Sequence, residues 1–393
     1  MQNVVEYLRV LFALVPPGSV DSHPIVPLIC IKSLGNYVVI LDKADVAFEL
    51  LDKRSKIYSD RPEWPCADYL GTQNYIGFMY YGERLIKSRK LIHIILNPQA
   101  ISQWDDLLDR QSIKLVDAVA KTPKKVNAAI EGWSWDALGL LLSTPQPPFE
   151  QVKEDMRRDT AERSFVRNCL EEMNALPHLD ITEESIMYNA GGLHAAHIHN
   201  VNILPHDVPP PGDSGKSPVL KYTQYAELNT FRFTKARAYA EIHSVVGTDR
   251  LPTLADKAQL PYLETVIKEL LRFAPPVPLN PHGTSAEDEY SGWTIPKKAW
   301  VIANIWSMTH DETSYPSPEQ FIPDRHAGPD PQRDPYTLCF GFGRRICPGI
   351  KFANTFIFLG ISRALALFEI SPPKGHNGKP VLPNIEYTTK FIS

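Results

Sequence analysis

The chain is poor in several features that define large protein classes. It has no uninterrupted apolar run of the roughly 20 residues needed to cross a bilayer as a helix; the N-terminal stretch from Val4 to Val15 is broken by Glu6 and Arg9. Cysteine is scarce. Cys30, Cys66, Cys169, Cys339 and Cys347 are odd in number and widely spaced, which argues against a disulfide framework and for a reducing compartment. Charge of one sign is lacking too: a net charge of -4, without any basic and aromatic array, excludes a general affinity for nucleic acid. No internal repeat is present, which excludes a solenoid. Proline and apolar residues, in contrast, are plentiful. With 35 prolines and 43% hydrophobic residues in 393, there is ample material for a large core, and length alone allows roughly two or three domains.

The most informative segment is Phe340 to Gly349, which reads F-G-F-G-R-R-I-C-P-G. Gly341, Gly343 and Gly349 relieve steric limits on the backbone, so that a tight loop can approach a large flat cofactor and present the sulfur of Cys347. Backbone N–H groups of such a loop, and the start of the helix that follows, stabilise an anionic sulfur and lower its pKa. Pro348 suits the first turn of that helix, because the N–H it lacks would have had no partner. Arg345 supplies a fixed cationic fork suited to a carboxylate. A lone intracellular cysteine is usually an inert buried thiol. Five fixed identities at the spacing F-x-x-G-x-R-x-C-x-G weigh against that outcome for Cys347, whereas Cys339 lies nearby but lacks the context.

Phe340, Gly343, Arg345, Cys347 and Gly349 match in full the ligand signature of the haem-thiolate monooxygenases, and on this motif the sequence resembles the cytochrome P-450 family. Two further segments extend the resemblance. From Pro261 to Phe273, the residues Tyr262, Leu263, Val266, Ile267, Leu270 and Leu271 recur at helical spacing, with Glu269 and Arg272 three apart on one face. Alone, such a pair is a solvated ion pair worth a few tenths of a kcal/mol. Here it matches the family's E-x-x-R, and the resemblance implies a buried network completed by Arg325 in the loop Phe321-Ile322-Pro323-Asp324-Arg325. Upstream, Tyr81-Gly82-Glu83-Arg84 and Arg89 resemble the start of the helix that crosses the haem edge. Leu85 stands where the family's tryptophan would, so only Arg89 carries over there as a propionate partner, beside Arg345. In Pro281-His282-Gly283-Thr284, relatives usually have another propionate-binding arginine where this chain has Gly283, which implies a lower haem affinity than usual. The runs Leu50-Leu51-Asp52-Lys53-Arg54-Ser55 and Tyr58-Ser59-Asp60-Arg61-Pro62 are similar to the N-terminal part of fungal members. The resemblance thus covers about residues 30 to 105 and 235 to 370.

It implies a mainly α fold with a small β-sheet, a single P-450-like haem domain over residues 19–393, preceded at 1–18 by a shortened membrane anchor and the hinge Pro16-Pro17-Gly18, or by a surface helix. Gly35 to Ile40 reads as a strand, Ala44 to Leu51 as a helix, and residues 102–122 and 150–174 as helical, the latter resembling a substrate-access helix. Trp293 to Pro296 and Val301 to Asn304 read as a strand pair joined by a turn at Lys297-Lys298, before a helix that ends near His310. The implied cofactor is haem b (heme b, iron), with Cys347 as metal ligand and Arg89, Phe340, Gly343, Arg345 and Gly349 around it. Glu269, Arg272 and Arg325 would support the ligand loop, and Val277 and Leu279 would line the substrate side. The implied activity is insertion of one atom of O2 into an apolar organic substrate, with electrons from an NADPH-dependent cytochrome reductase. This would take place on the cytoplasmic face of the endoplasmic reticulum membrane, or in the cytoplasm if the N-terminal segment is no anchor. Lys87, Lys90, Arg344 and Lys351 would form either a basic patch for that reductase or a solvated charged face.

Residues 123–235 are atypical. Ile186-Met187-Tyr188-Asn189-Ala190-Gly191-Gly192 looks like the start of the family's long helix over the haem, which continues with an acid and a threonine that help deliver protons. This chain continues Leu193-His194-Ala195-Ala196-His197-Ile198-His199, and no catalytic acid–threonine pair is identified. Pro205, Pro209, Pro210, Pro211, Gly212 and Gly215 would then end a helix, so the fold is expected to be incomplete in the substrate-access and long distal helix regions. His194, His197, His199 and His206 suit zinc by residue type but have no clear acidic or cysteine companion. Gly212-Asp213-Ser214-Gly215-Lys216-Ser217 resembles the end of a phosphate loop whose first glycine is replaced by Pro210. Without the acid–threonine pair, a haem-thiolate isomerase or dehydratase and an inactive haem-binding remnant stay open beside the monooxygenase.

Overall fold

The computed structural model describes residues 28–33, 36–122, 149–161, 164–175, 181–200 and 228–368. The expected anchor and hinge at 1–18, and the Pro/Gly-rich stretch from Pro205 to Ser217 with His206, lie outside them.

Strands that are apolar without interruption must be covered on both faces. That is the case for β2 (Asn36–Leu41), in which Val38 to Leu41 are all buried. With β1 (Leu28–Ser33), β3 (Leu279–Gly283), β4 (Asp288–Tyr290), β5 (Trp293–Ile295) and β6 (Trp300–Asn304), it makes up the β-structure of the described residues. Four strands form one sheet in the order β1-β2-β6-β3, in which β1 and β3 run antiparallel to their neighbours and β2 and β6 run parallel. The register sets Val39 beside Val301 and Ile40 beside Ile302. Alternation then sends Val39, Leu41, Val301 and Ala303 into a core with Leu50, Leu51, Tyr58 and Phe342, and sends Val38, Ile40 and Ile302 into another with Ile31 and Leu279. The expected pairing of 293–296 with 301–304 does not form. β5 pairs with β4 instead, and Lys298, at φ +65, turns the chain away into β6. Thr284 holds that turn: its hydroxyl donates to the Pro296 carbonyl at 2.7 Å and accepts from the Ala299 N–H at 2.8 Å.

The longer helices are α1 (Glu83–Leu96), α2 (Asp105–Lys121), α3 (Phe149–Arg157), α4 (Phe165–Ala175), α5 (Glu183–Asn200), α6 (Leu228–Val246), α7 (Pro261–Phe273) and, after the short α8 (Ile305–Thr309), α9 (Ile350–Leu367). The helical reading of 150–174 resolves into α3 and α4. The break follows Asp159, at φ +58, where the Asp155 carbonyl accepts the N–H groups of Thr160 and Ala161 and Ser164 caps the new helix. The segment Ala44–Ala47 is α-helical but widens into a π-helix over Phe48–Lys53. α5 continues through Gly191 and Gly192 to Asn200.

α7 begins with Pro261, and the unpaired N–H groups of Tyr262 and Leu263 are met by the Glu241 carboxylate of α6 at 2.8 and 2.9 Å. α9 is long and apolar enough to cross a membrane by composition, but Phe356, Phe358 and Leu359 are buried among α2, α6 and α7, as in a core helix. Arg363, also buried, ties α9 to α2 through Ser112 and Asp109.

Beside this core, Glu269 and Arg272 of α7 have no exposed side-chain surface. The Glu269 carboxylate accepts two bonds from Arg272 at 2.9 Å, one from Arg325 at 3.2 Å, one from the His326 ring at 2.9 Å and one from the Ile322 N–H at 2.8 Å. Burial alone would raise its pKa, but the bonds from His326 and Arg272 and the charges of Arg272 and Arg325 hold it below the ordinary glutamate value. Removing the carboxylate in Glu269→Ala leaves two guanidiniums buried without an anion. We expect a loss of about 3–5 kcal/mol, read as a lower urea midpoint of the purified chain.

Candidate metal centre

Cys347 is presented by a turn between the short helix Tyr336–Cys339 and α9. A 3-10 turn spans Gly343–Arg345, and the Cys347 N–H closes the loop onto the Phe340 carbonyl at 2.8 Å. Gly343 adopts φ +50, and a Cβ there would run into the Leu51 carbonyl, so only glycine lets the loop lie against the π-turn. Gly349 contributes differently from expectation: its φ of -92 is ordinary, and its backbone N–H favours the thiolate form of Cys347. Pro348 lies just before the N-cap of α9 and not in its first turn. Phe340 stacks on Tyr336 with centroids 5.4 Å apart, and Phe342 meets Phe48 edge-on at the same distance. Burial pushes the Cys347 thiol up from its ordinary pKa, while the Gly349 hydrogen bond and the charge of Arg89 favour the thiolate, the form that ligates metals.

Next to this loop lies a cluster of cations, of which Arg345 is buried and Arg61 and Arg89 are half-buried. Arg345, 7% exposed, donates from Nε to the Ser59 carbonyl at 2.6 Å and from Nη2 to the Met79 carbonyl at 2.7 Å. Its Nη1 is buried without a partner. Arg61 donates to the Gly77 carbonyl at 2.7 Å and to that of Pro281, and Arg89 reaches the Ile346 carbonyl at 2.8 Å. His282, fully buried on β3, bonds the Tyr58 carbonyl through Nδ1 at 2.8 Å, which leaves Nε2 unpartnered. Burial, together with the charges of Arg61 and Arg89, lowers Arg345 to about 9, and burial lowers Arg61 to about 10. Asp60 alone offsets them as a nearby carboxylate. Buried cations with a spare donor are unfavourable until an anion joins them. A flat cofactor carrying carboxylates, seated against the Cys347 loop, fits both the sulfur and this cluster.

The structure therefore brings together Arg89, Phe340, Gly343, Arg345, Cys347 and Gly349, and it adds two residues to which the sequence assigned no role, Arg61 and His282. Nothing local marks Arg61, because its partners come from residues 77 and 281. Leu279 packs in the sheet core with Ile31 and Ile302, and Val277 is half-buried beyond α7. Of the basic residues, Lys87 pairs with Glu83 at 3.0 Å, Arg344 lies on the Tyr81 ring and donates to its hydroxyl, and Lys90 and Lys351 are exposed. Leu85 is buried in place of the tryptophan. His194, His197 and His199 occupy α5, and among the described residues no group of three or more His, Cys, Asp or Glu is placed to hold a metal.

Comparison with known proteins points to one family. A family model described as cytochrome P-450 matches residues 217–390. The chain is 30% identical to cytochrome P-450 monooxygenase 226 of Postia placenta, over 92% of this chain and 78% of the relative. It is 29% identical to cytochrome P-450 monooxygenase claT of Ampulloclitocybe clavipes, over 93% and 81%. A zebra fish cytochrome P-450 solved with progesterone superposes with a TM-score of 0.69 at 20% identity, covering 95% of this chain and 93% of that one.

The buried histidines make stability depend on pH. Burial, with the charges of Arg61 and Arg345 around His282 and of Arg272 around His310, pushes both imidazoles from 6.5 down to about 3. Between these values the unfolded chain binds more protons, so stability is complete above about pH 6.5 and falls as the pH drops toward 3. Thermal melts of the chain should show Tm decreasing through this window, and His310→Gln should flatten part of the slope.

Proposed function

The chain belongs to the cytochrome P-450 family, and on that basis we propose that it is a haem-thiolate monooxygenase in which Cys347 ligates the iron of haem b. Arg345, Arg89 and Arg61, with His282 beside them, hold the propionates. The observation that carries this reading is the cluster of guanidiniums next to the cysteine loop, with the buried Arg345 Nη1 left without a partner. When bound, the haem supplies O2 activation and oxygen-atom transfer, and a thiolate ligand donates the electron density that favours O–O cleavage.

The protein residues do the rest. The Gly349 N–H and the Arg89 charge favour the thiolate against the burial that raises the Cys347 pKa, and the Glu269 network anchors the loop that precedes the ligand. Residues 19–393 act as one haem domain. The substrate is an apolar small molecule lined in part by Val277, and the electrons come from an NADPH-dependent reductase that docks on the face carrying Lys90 and Lys351. A haem-thiolate isomerase or dehydratase is the second reading. It is favoured by one feature: α5 carries Leu193-His194-Ala195 where the family has its acid and threonine.

The reduced, carbon monoxide-bound spectrum of the purified chain tests ligation. We expect a red-shifted Soret band that disappears in Cys347→Ala, and a band typical of a neutral axial ligand would rule the proposal out. Consumption of NADPH and O2 in the presence of a reductase then separates the monooxygenase from the isomerase, which uses neither.

A further inference from the structure

Gly283 ends β3 without a side chain, and the structure shows what that makes room for. A Cβ built on Gly283 falls 2.7 Å from the carbonyl oxygen of Arg61 and 2.8 Å from its carbonyl carbon. These are backbone atoms held by backbone pairing. The Gly283 N–H donates to the Asp60 carbonyl at 2.8 Å, forming an isolated antiparallel bridge at the end of β3. The Asp60 carboxylate accepts the N–H groups of Arg61 at 2.9 Å and Tyr81 at 2.8 Å, which pins the same segment from the other side. Tyr58 and Ser59, immediately before it, are held by His282 and Arg345. Any side chain at position 283 must push this segment away from the cation cluster.

Building on the haem-thiolate reading above, we infer that Gly283 is a positioning residue for Arg61. Lacking a Cβ, it admits the Arg61 backbone, and Arg61 then supplies positive charge at the propionate edge. An arginine placed at 283 would displace Arg61 and weaken the hold on the cofactor carboxylates.

The test is a Soret titration of the apo full-length chain with haem and with haem dimethyl ester, which lacks the two carboxylate charges. Wild type should prefer haem. Arg61→Gln should lower affinity for haem by about tenfold or more, the scale of one charged hydrogen bond, with little effect on the ester, and Arg61→Lys should recover part of the preference. Gly283→Arg and Gly283→Ala should each weaken haem binding, and adding Arg61→Gln to Gly283→Arg should cost little more. Haem binding in Gly283→Arg as tight as wild type, with Arg61→Gln still costly in that background, would overturn the inference. If the position-283 variants fail to fold, the Arg61 pair decides alone: an unchanged preference for haem over its ester in Arg61→Gln rejects the inference. A wild-type chain without a thiolate-type spectrum would instead reject the haem-thiolate reading and this inference with it. A thiolate-type spectrum with no effect of Arg61→Gln sinks the inference alone.

Discussion

A single buried carboxylate, Glu269, holds α7 to the segment that leads into the cysteine loop. It is the anion for Arg272 on its own helix and for Arg325 and His326 on the segment between β6 and the cysteine loop. A carboxylate can be taken fully out of water only when its lone pairs are met, and here five donors meet them. The arginines it neutralises spend their remaining N–H groups on the carbonyls of Thr309, Pro316, Ser317 and Gln320. An irregular stretch of chain, which has few backbone bonds of its own, is thereby fixed to the rigid surface of α7. The Cys339 thiol, which donates to the Leu271 carbonyl at 3.4 Å, extends the same anchorage to the threshold of the ligand loop.

The second constraint is the opposite one, an excess of positive charge around one buried guanidinium. Arg61, Arg89 and Arg345 gather at the cysteine loop with Asp60 as their nearby counter-charge, and their bonds end mainly on carbonyl dipoles. In the Glu269 network the anion is part of the chain. Beside Cys347 the Arg345 Nη1 is left buried without an anion to meet it.

Much of this was legible in the sequence wherever local chemistry decides. The bounds of α7 follow from its apolar periodicity and Pro261, and the turn that presents Cys347 follows from glycines whose conformation other residues rarely adopt. The strand β2 is visible as an unbroken apolar run. The error over β5 and β6 has the same origin. Two short β-prone segments joined by a turn look like a hairpin, but their partners were chosen by β4 and β2, and pairing is a long-range property.

The sequence by itself determined the ligand loop, the E-x-x-R helix and the family, because spacing within a dozen residues sets the backbone conformation and the face on which each side chain emerges. Only the tertiary structure decided that Arg61 joins Arg345 and His282, that Leu279 belongs to the sheet core, and that His326 becomes a further donor to Glu269. These outcomes depend on which distant segments share a desolvated volume. There, the cost of an unpaired charge or donor is settled by residues more than fifty positions away.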